Sequence, residues 1–356
     1  MTQSRALPHQ LVNAPFATAV AIALDVAPRR LRALDVQHPF RGVNSTSAVE
    51  TMLERATAYR SRMLPGQVFS HETAAAVYGM PFSGAERGTE LHVSVAFPRT
   101  PPRTRGVRGH SISMVDQRSV RGLPVCSPVQ VWRQLAASLS GPELTAVGDH
   151  IVGARARHAL ATIDELRATA AVPSRIPGAA ALRWAAERIR FGADSRPETL
   201  LRLALVEAGL GEPAVNPPVF VGARLVHPDL VYFDERLILE YEGDGHRTDA
   251  AQWHADIGRH DAMVDSGWRV VRVTRCDLFA DRPAFLLRVA ELLSARAVGA
   301  VLVRSARCRG GRLVHKVRCV RSRPHLLHDA CRARGGRRPR ARTRTRRRRS
   351  GRRRSG

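Results

Sequence analysis

Asp229, Glu240 and Glu242 are acidic residues spaced so that a β-hairpin would gather their carboxylates. Residues 223–232 and 237–242 read as two strands, with Asp234-Glu235-Arg236 in the turn between them. Strand side chains alternate, so Glu240 and Glu242 share a face, and a short turn brings Asp229 alongside Glu240. Carboxylates set among Leu230-Val231 and Leu237-Ile238-Leu239 repel one another unless something positive lies between them. A hard divalent ion removes that cost: Mg²⁺, with Mn²⁺ as the alternative, takes a few carboxylate oxygens and retains several waters. Such a water can attack phosphorus while the ion offsets the developing charge, so the chemistry to expect is phosphodiester hydrolysis. His246 has an imidazole that titrates near neutral pH and is the candidate general base. The competing readings are an ordinary surface acid pair and a loop histidine.

The elements that must position these groups follow from the flanking pattern. Ser195-Arg196-Pro197-Glu198 predicts a helix start, with Ser195 as N-cap and Glu198 completing a capping box. Leu200, Leu203, Ala204 and Val206 form its buried stripe, and Gly209 ends it. A second helix is expected over 248–266, with Trp253, Ile257 and Val264 on one face and Gly267 as its stop. A strand follows over 268–274, and a last helix over 281–295 is capped by Asp281. On the second helix, Asp256 and Arg259 are spaced i,i+3, which suits either a helix salt bridge or a phosphate contact from Arg259. The order helix, strand, strand, helix, strand, helix is an α/β module with a small mixed sheet.

Within this module, Pro228-Asp229, Glu240-Tyr241-Glu242-Gly243, His246, Asp256, Arg259 and Gly267-Trp268-Arg269-Val270-Val271-Arg272 resemble the very-short-patch-repair-like nucleases of the PD-(D/E)xK superfamily. The resemblance spans about residues 195–296. It implies a restriction-endonuclease-like fold and an Mg²⁺-dependent DNA endonuclease of repair or defence. Asp229 and Glu240 would be metal ligands, joined by the backbone carbonyl of Tyr241, and Glu198 would be an acidic accessory as well as a cap. The superfamily's lysine two residues after the glutamate is replaced here by Glu242, which leaves the general base and charge stabiliser open.

The preceding segments suit a DNA-associated protein. Residues 15–45 read as two short helices and a turn. Phe16, Val20, Ala23 and Leu24 form one apolar face, Pro28 starts the second helix, and Leu31 and Leu34 lie on its buried side. Arg29, Arg30 and Arg32 decorate that helix as groove contacts or as a solvated basic face. Helices are expected over 48–63, from Ser70 to Gly79, over 128–139 and over 143–152, with strands at 91–95 and 109–114. Phe69-Ser70-His71-Glu72-Thr73-Ala74-Ala75, Tyr78-Gly79-Met80-Pro81, Leu91-His92-Val93, Gly122-Leu123-Pro124-Val125 and Gly148-Asp149 resemble the AbiEi-type antitoxin-related region. This second resemblance covers about residues 10–165 and implies a winged-helix-like start without supplying a catalytic residue. His71 reads as a structural residue at a helix start. The rival to the endonuclease is therefore an AbiEi-like DNA-binding regulator with a catalytically degenerate nuclease fold.

The expected class is α/β (α+β). Its segments are a helix-turn-helix-like 1–45, a mixed 46–165, a linker and helix at 166–194, a nuclease-like 195–297 and a disordered Arg-rich tail at 298–356. Charge sharpens the last boundary. The net +26 resides mostly in residues 301–356, where 21 Arg and one Lys face a single acid, Asp329, while the preceding residues net only +5. The tail reads either as a sequence-independent nucleic-acid binder or as the frame-shifted end of a GC-rich gene. The spacing of Cys308, Cys319 and Cys331 fits no zinc finger, and Cys126 and Cys276 read as unpaired thiols of a reducing compartment. No apolar run is long enough to cross a membrane and no signal peptide is read, so a cytoplasmic protein with DNA as its partner is expected.

Overall fold

The computed structural model describes residues 6–82, 90–154, 157–173, 175–243 and 250–304, with side chains other than those of 250–256 and 296–304. His246, the Asp256 side chain and the tail beyond Arg304 lie outside the described residues. The mixed α/β class is as expected.

The chain begins with β1 (Phe16–Ala17), α1 (Thr18–Ala23), α2 (Pro28–Leu31), β2 (Gln37–Phe40) and β3 (Val43–Ser45). The three strands pair antiparallel in the order β1-β3-β2. Leu7, Leu11, Phe16, Ala21, Val26, Leu31 and Val36 form a small core of their own. The apolar faces differ from expectation: Phe16 and Leu31 are buried, but Val20, Leu24 and Leu34 are exposed. The cause is length. α1 has six residues and α2 is one turn, so Leu34 falls in the turn beyond α2 rather than on a helix face.

Next come α3 (Met52–Arg60), β4 (Gln67–Phe69), α4 (His71–Tyr78), β5 (Leu91–Ala96), β6 (Arg103–Thr104), β7 (Val107–Ile112), β8 (Gln117–Val120) and β9 (Leu123–Cys126). The helices α5 (Pro128–Leu135), α6 (Gly141–Val152), α7 (Ile163–Ala171) and α8 (Ala179–Arg188) follow. A Thr51–Glu54 capping box starts α3, and Gly79 ends α4 in the left-handed conformation (φ +71°) that glycine takes without strain. The strands form a mixed sheet in the order β6-β7-β5-β4-β9-β8, with β5–β7 and β4–β9 parallel. Trp132, fully buried between α5 and α6, donates its indole N–H to the Leu144 carbonyl at 2.8 Å. Residues 166–171, expected within a linker, belong to α7, because Thr162 and Glu165 make a capping box and Leu166 and Ala170 face the core.

The last part contains α9 (Arg196–Glu207), β10 (Ala214–Val215), β11 (Val219–Val221), β12 (Arg224–Val226), β13 (Leu230–Tyr232), β14 (Leu237–Tyr241), α10 (Ala250–Asp265), β15 (Arg269–Val273) and α11 (Arg282–Arg304). A four-stranded sheet runs β10-β13-β14-β15, antiparallel except for β14–β15. The strand expected over 223–232 is two strands: β12 pairs with β11, and β13 starts after Pro228, which has no N–H to give a ladder. The Ser195 hydroxyl accepts from Glu198 N–H as expected. The Glu198 carboxylate, however, accepts from the Asp194 N–H rather than that of Ser195, so the capping box is not closed.

α9 is bolted to the preceding helices. Asp149 on α6 and Arg202 on α9 are each about 1% exposed, and Arg202 Nη2 lies 3.1 Å from Asp149 Oδ2. Thr199 Oγ1 and Arg190 N–H also donate to Asp149, and Arg202 further donates to Glu212 and the Arg188 carbonyl. A second tie joins Arg196 to Glu143 by paired hydrogen bonds.

Candidate functional site

The acids of the last module meet at the β13–β14 hairpin. The register pairs Leu230 with Leu239 and Val231 with Ile238, and one step further along the same ladder puts Asp229 opposite Glu240. Cross-strand neighbours share a face. The Asp229 carbonyl accepts from Asn216 N–H at 2.9 Å, which carries the β10–β13 pairing one residue past β13. Its carboxylate Oδ2 accepts from Tyr241 N–H at 2.7 Å, which fixes the side chain beside β14. Glu198, buried in the first turn of α9, accepts from Asp194 N–H (2.9 Å) and Asn216 Nδ2 (3.1 Å). Asn216 also donates to the Gly192 carbonyl and adopts positive φ (+43°), a conformation that asparagine tolerates better than most residues. It therefore tethers the start of α9 to β10.

The electrostatics match this crowding. Burial first, and then the negative charges of Glu198 and Glu240, together push the Asp229 carboxyl up to about 8. The Tyr241 N–H and Arg259 oppose the rise. Glu198 is also raised, chiefly by burial. The buried carboxyls of this corner are crowded enough that the neutral, protonated form of Asp229 is favoured.

Two positive groups already pair with acids here. Arg259 on α10 donates to Glu240 Oε1 at 2.5 Å, so its partner is Glu240. Glu242, just past β14, pairs with Arg272 Nη1 at 2.8 Å. Glu242 is thus an acid neutralised by an arginine from the adjacent strand. Tyr241 is the last residue of β14. Among the described residues, Glu198, Asp229 and Glu240 do not form a group whose ligand atoms all lie within 4.8 Å of one another, whereas His71, His92 and His110 do. Asp229 and Glu240 share a face, but Arg259 already holds Glu240 there.

At the other end of the chain, Arg29 and Arg32 are exposed on and beside α2. Arg30 is spent internally: both guanidinium Nη atoms donate to Asp35, at 2.9 and 2.6 Å, and its side chain is 11% exposed. Sequence reasoning missed Asn216, whose place immediately before Pro217-Pro218 suggests only a turn. It also missed the assembly of His71, His92 and His110, which come from separate elements.

Neither a protein-family model, nor a curated protein, nor a solved structure matches the chain.

Proposed function

We propose that this chain is a divalent-metal-dependent DNA endonuclease that hydrolyses phosphodiesters through the α9–α11 module. The observation that carries the reading is the pairing of Asp229 with Glu240 across one hairpin, with Glu198 adding charge to the same corner. Asp229 and Glu240, with the Tyr241 carbonyl, would hold Mg²⁺ or Mn²⁺. When bound, such an ion supplies Lewis-acid stabilisation of charge building on phosphorus-bound oxygens. The chain's own groups do the rest. Tyr241 N–H orients Asp229, Asn216 orients Glu198, and Arg259, once released from Glu240, is placed to meet a phosphate. DNA as substrate also agrees with exposed Arg29 and Arg32 and with a cytoplasmic setting. No helix among the described residues is long and apolar enough to cross a membrane.

The test is cleavage of plasmid and of mismatched duplex with Mg²⁺ or Mn²⁺. Asp229→Ala and Glu240→Ala are each expected to lower the rate on the order of 100-fold or more, with circular dichroism unchanged. Equal cutting by wild type and both variants removes the reading. One specific observation favours a second reading, a DNA-binding regulator with a degenerate site: Glu240 and Glu242 are both neutralised by arginines. That reading expects metal-independent gel shifts that depend on residues 15–45 and persist when the Arg-rich tail is removed.

A further inference from the structure

A different cluster, remote in sequence from the acids, combines metal-ligand chemistry with tight geometry. His92 on β5 and His110 on β7 lie on parallel neighbouring strands, where Ser94 is the register partner of His110 and Arg108 that of His92. By alternation both histidines project from one face of the sheet. His71 opens α4, and its backbone N–H is held by Gln134 Oε1 at 2.9 Å. Its φ of +49° is in the left-handed region that a histidine rarely adopts, so the surrounding contacts hold the ring where it is. The three imidazoles gather with centroids 4.0 Å apart (His71–His110), 5.1 Å (His92–His110) and 5.3 Å (His71–His92). All three are half-buried, and one nitrogen from each lies within 4.8 Å of the other two.

A carboxylate completes the group. Glu72 Oε2 lies 3.3 Å from His92 Nδ1, is buried, and has no hydrogen bond, while Oε1 accepts from Ser138 Oγ at 2.8 Å. His110 Nε2 approaches the same His92 Nδ1 to 3.2 Å. A single Nδ1 proton cannot satisfy both the carboxylate oxygen and the imidazole nitrogen. Nor do extra protons resolve the conflict: burial holds all three imidazoles below their usual range, His71 down to about 3, and neighbouring histidines further oppose the charging of His71 and His110. Neutral imidazole is the form that ligates metal. Of the charged side chains nearby, Arg108 is paired with Glu90, so the Glu72 charge remains for the histidines.

We propose that His71, His92 and His110 form a binding site for one Zn²⁺-class cation, with Glu72 as the fourth ligand. Tetrahedral zinc with bonds of 2.0–2.1 Å separates its ligand atoms by about 3.3 Å. The His110–His92 and Glu72–His92 separations, 3.2 and 3.3 Å, already have that spacing. His71 supplies the remaining nitrogen, which already lies within 4.8 Å of the other two. Its Nδ1 sits 3.0 Å from Ser70 Oγ, which itself accepts from Ser94 Oγ, so Nε2 is the ligating atom and the serine pair orients the ring. The site ties the start of α4 to strands β5 and β7, and it shares no residue with the Asp229–Glu240 corner.

The test uses the full-length chain, stripped by chelator and titrated with Zn²⁺ against a chromophoric competitor, with X-ray absorption on the loaded form. Wild type is expected to take up an ion in a nitrogen and oxygen shell with imidazole scattering. His92→Ala and His110→Ala are each expected to weaken that uptake on the order of 100-fold or more, and Glu72→Gln on the order of 10-fold. Asp164→Ala, at an exposed acid of α7 outside both sites, is expected to leave it unchanged. Because an alanine here can disturb the sheet, His110→Gln is run beside it, with circular dichroism to certify the fold. Absence of an imidazole-bound ion in wild type overturns the proposal, whatever the variants do. So do equal affinities in wild type and folded His110→Gln, and so does uptake that fails in Asp229→Ala but survives in the histidine variants.

Discussion

Replacing Asp149 with alanine is expected to destabilise the folded chain by about 3–5 kcal/mol at neutral pH, because it leaves Arg202 a buried charge without its buried carboxylate partner. Both side chains are about 1% exposed, so water cannot replace what is lost. Glu212 alone would then face the guanidinium, from a more exposed position. The loss is read as a fall in the denaturant midpoint at constant slope. Removing both partners together, as Asp149→Leu with Arg202→Met, is expected to recover most of it, since an apolar pair carries no desolvation cost. Titration adds a sign. Burial raises the Asp149 carboxyl from 3.8 to about 6, against the pull of Arg202 and its hydrogen bonds. The folded state then holds its proton more tightly than the unfolded chain. The stability from that difference is complete below about pH 4 and lost as pH rises to about 6. Stability of wild type relative to Asp149→Asn should fall across that window and level off above it. A flat difference from pH 4 to 7 would contradict the account.

Asp229→Asn is expected to do two opposite things: abolish metal-dependent cleavage and stabilise the metal-free fold on the order of 2 kcal/mol at pH 8. The stabilisation follows from removing one of three mutually repelling carboxyls at a half-buried corner. The amide oxygen can still accept from Tyr241 N–H, so the β14 anchor survives. A residue kept for packing would lose stability on substitution, whereas one kept for chemistry gains it at the expense of activity. Thermal unfolding of chelator-treated wild type and variant measures the first effect, and plasmid cleavage the second. A variant that is both less stable and fully active would remove Asp229 from the site. Arg259 makes a related point, since its hold on Glu240 supplies part of the countercharge while no cation is bound.

The one-dimensional pattern of the last module already contained much of its architecture. Short apolar runs marked β13, β14 and β15, the Ser195 cap marked α9, and Gly267 marked the end of α10. The Asp229–Glu240 pairing was legible too, because a short turn between two strands sets their register almost by itself. Local signals of this kind act over a few residues, and the sequence by itself determines them. It could not say that Pro228 would split the long strand, that α2 would stop after one turn and expose Leu34, or that Arg30 would be consumed by Asp35. Nor could it show that Arg259 would occupy Glu240, or that Asp149 and Arg202, 53 residues apart, would bury a charge pair. The histidine group is the clearest instance: His71, His92 and His110 stand in three unrelated local contexts, and each alone looks structural. Only the parallel pairing of β5 with β7, roofed by the start of α4, brings their nitrogens together. Partner choice among distant side chains depends on which surfaces pack and how much water leaves between them, and spacing along the chain does not encode that.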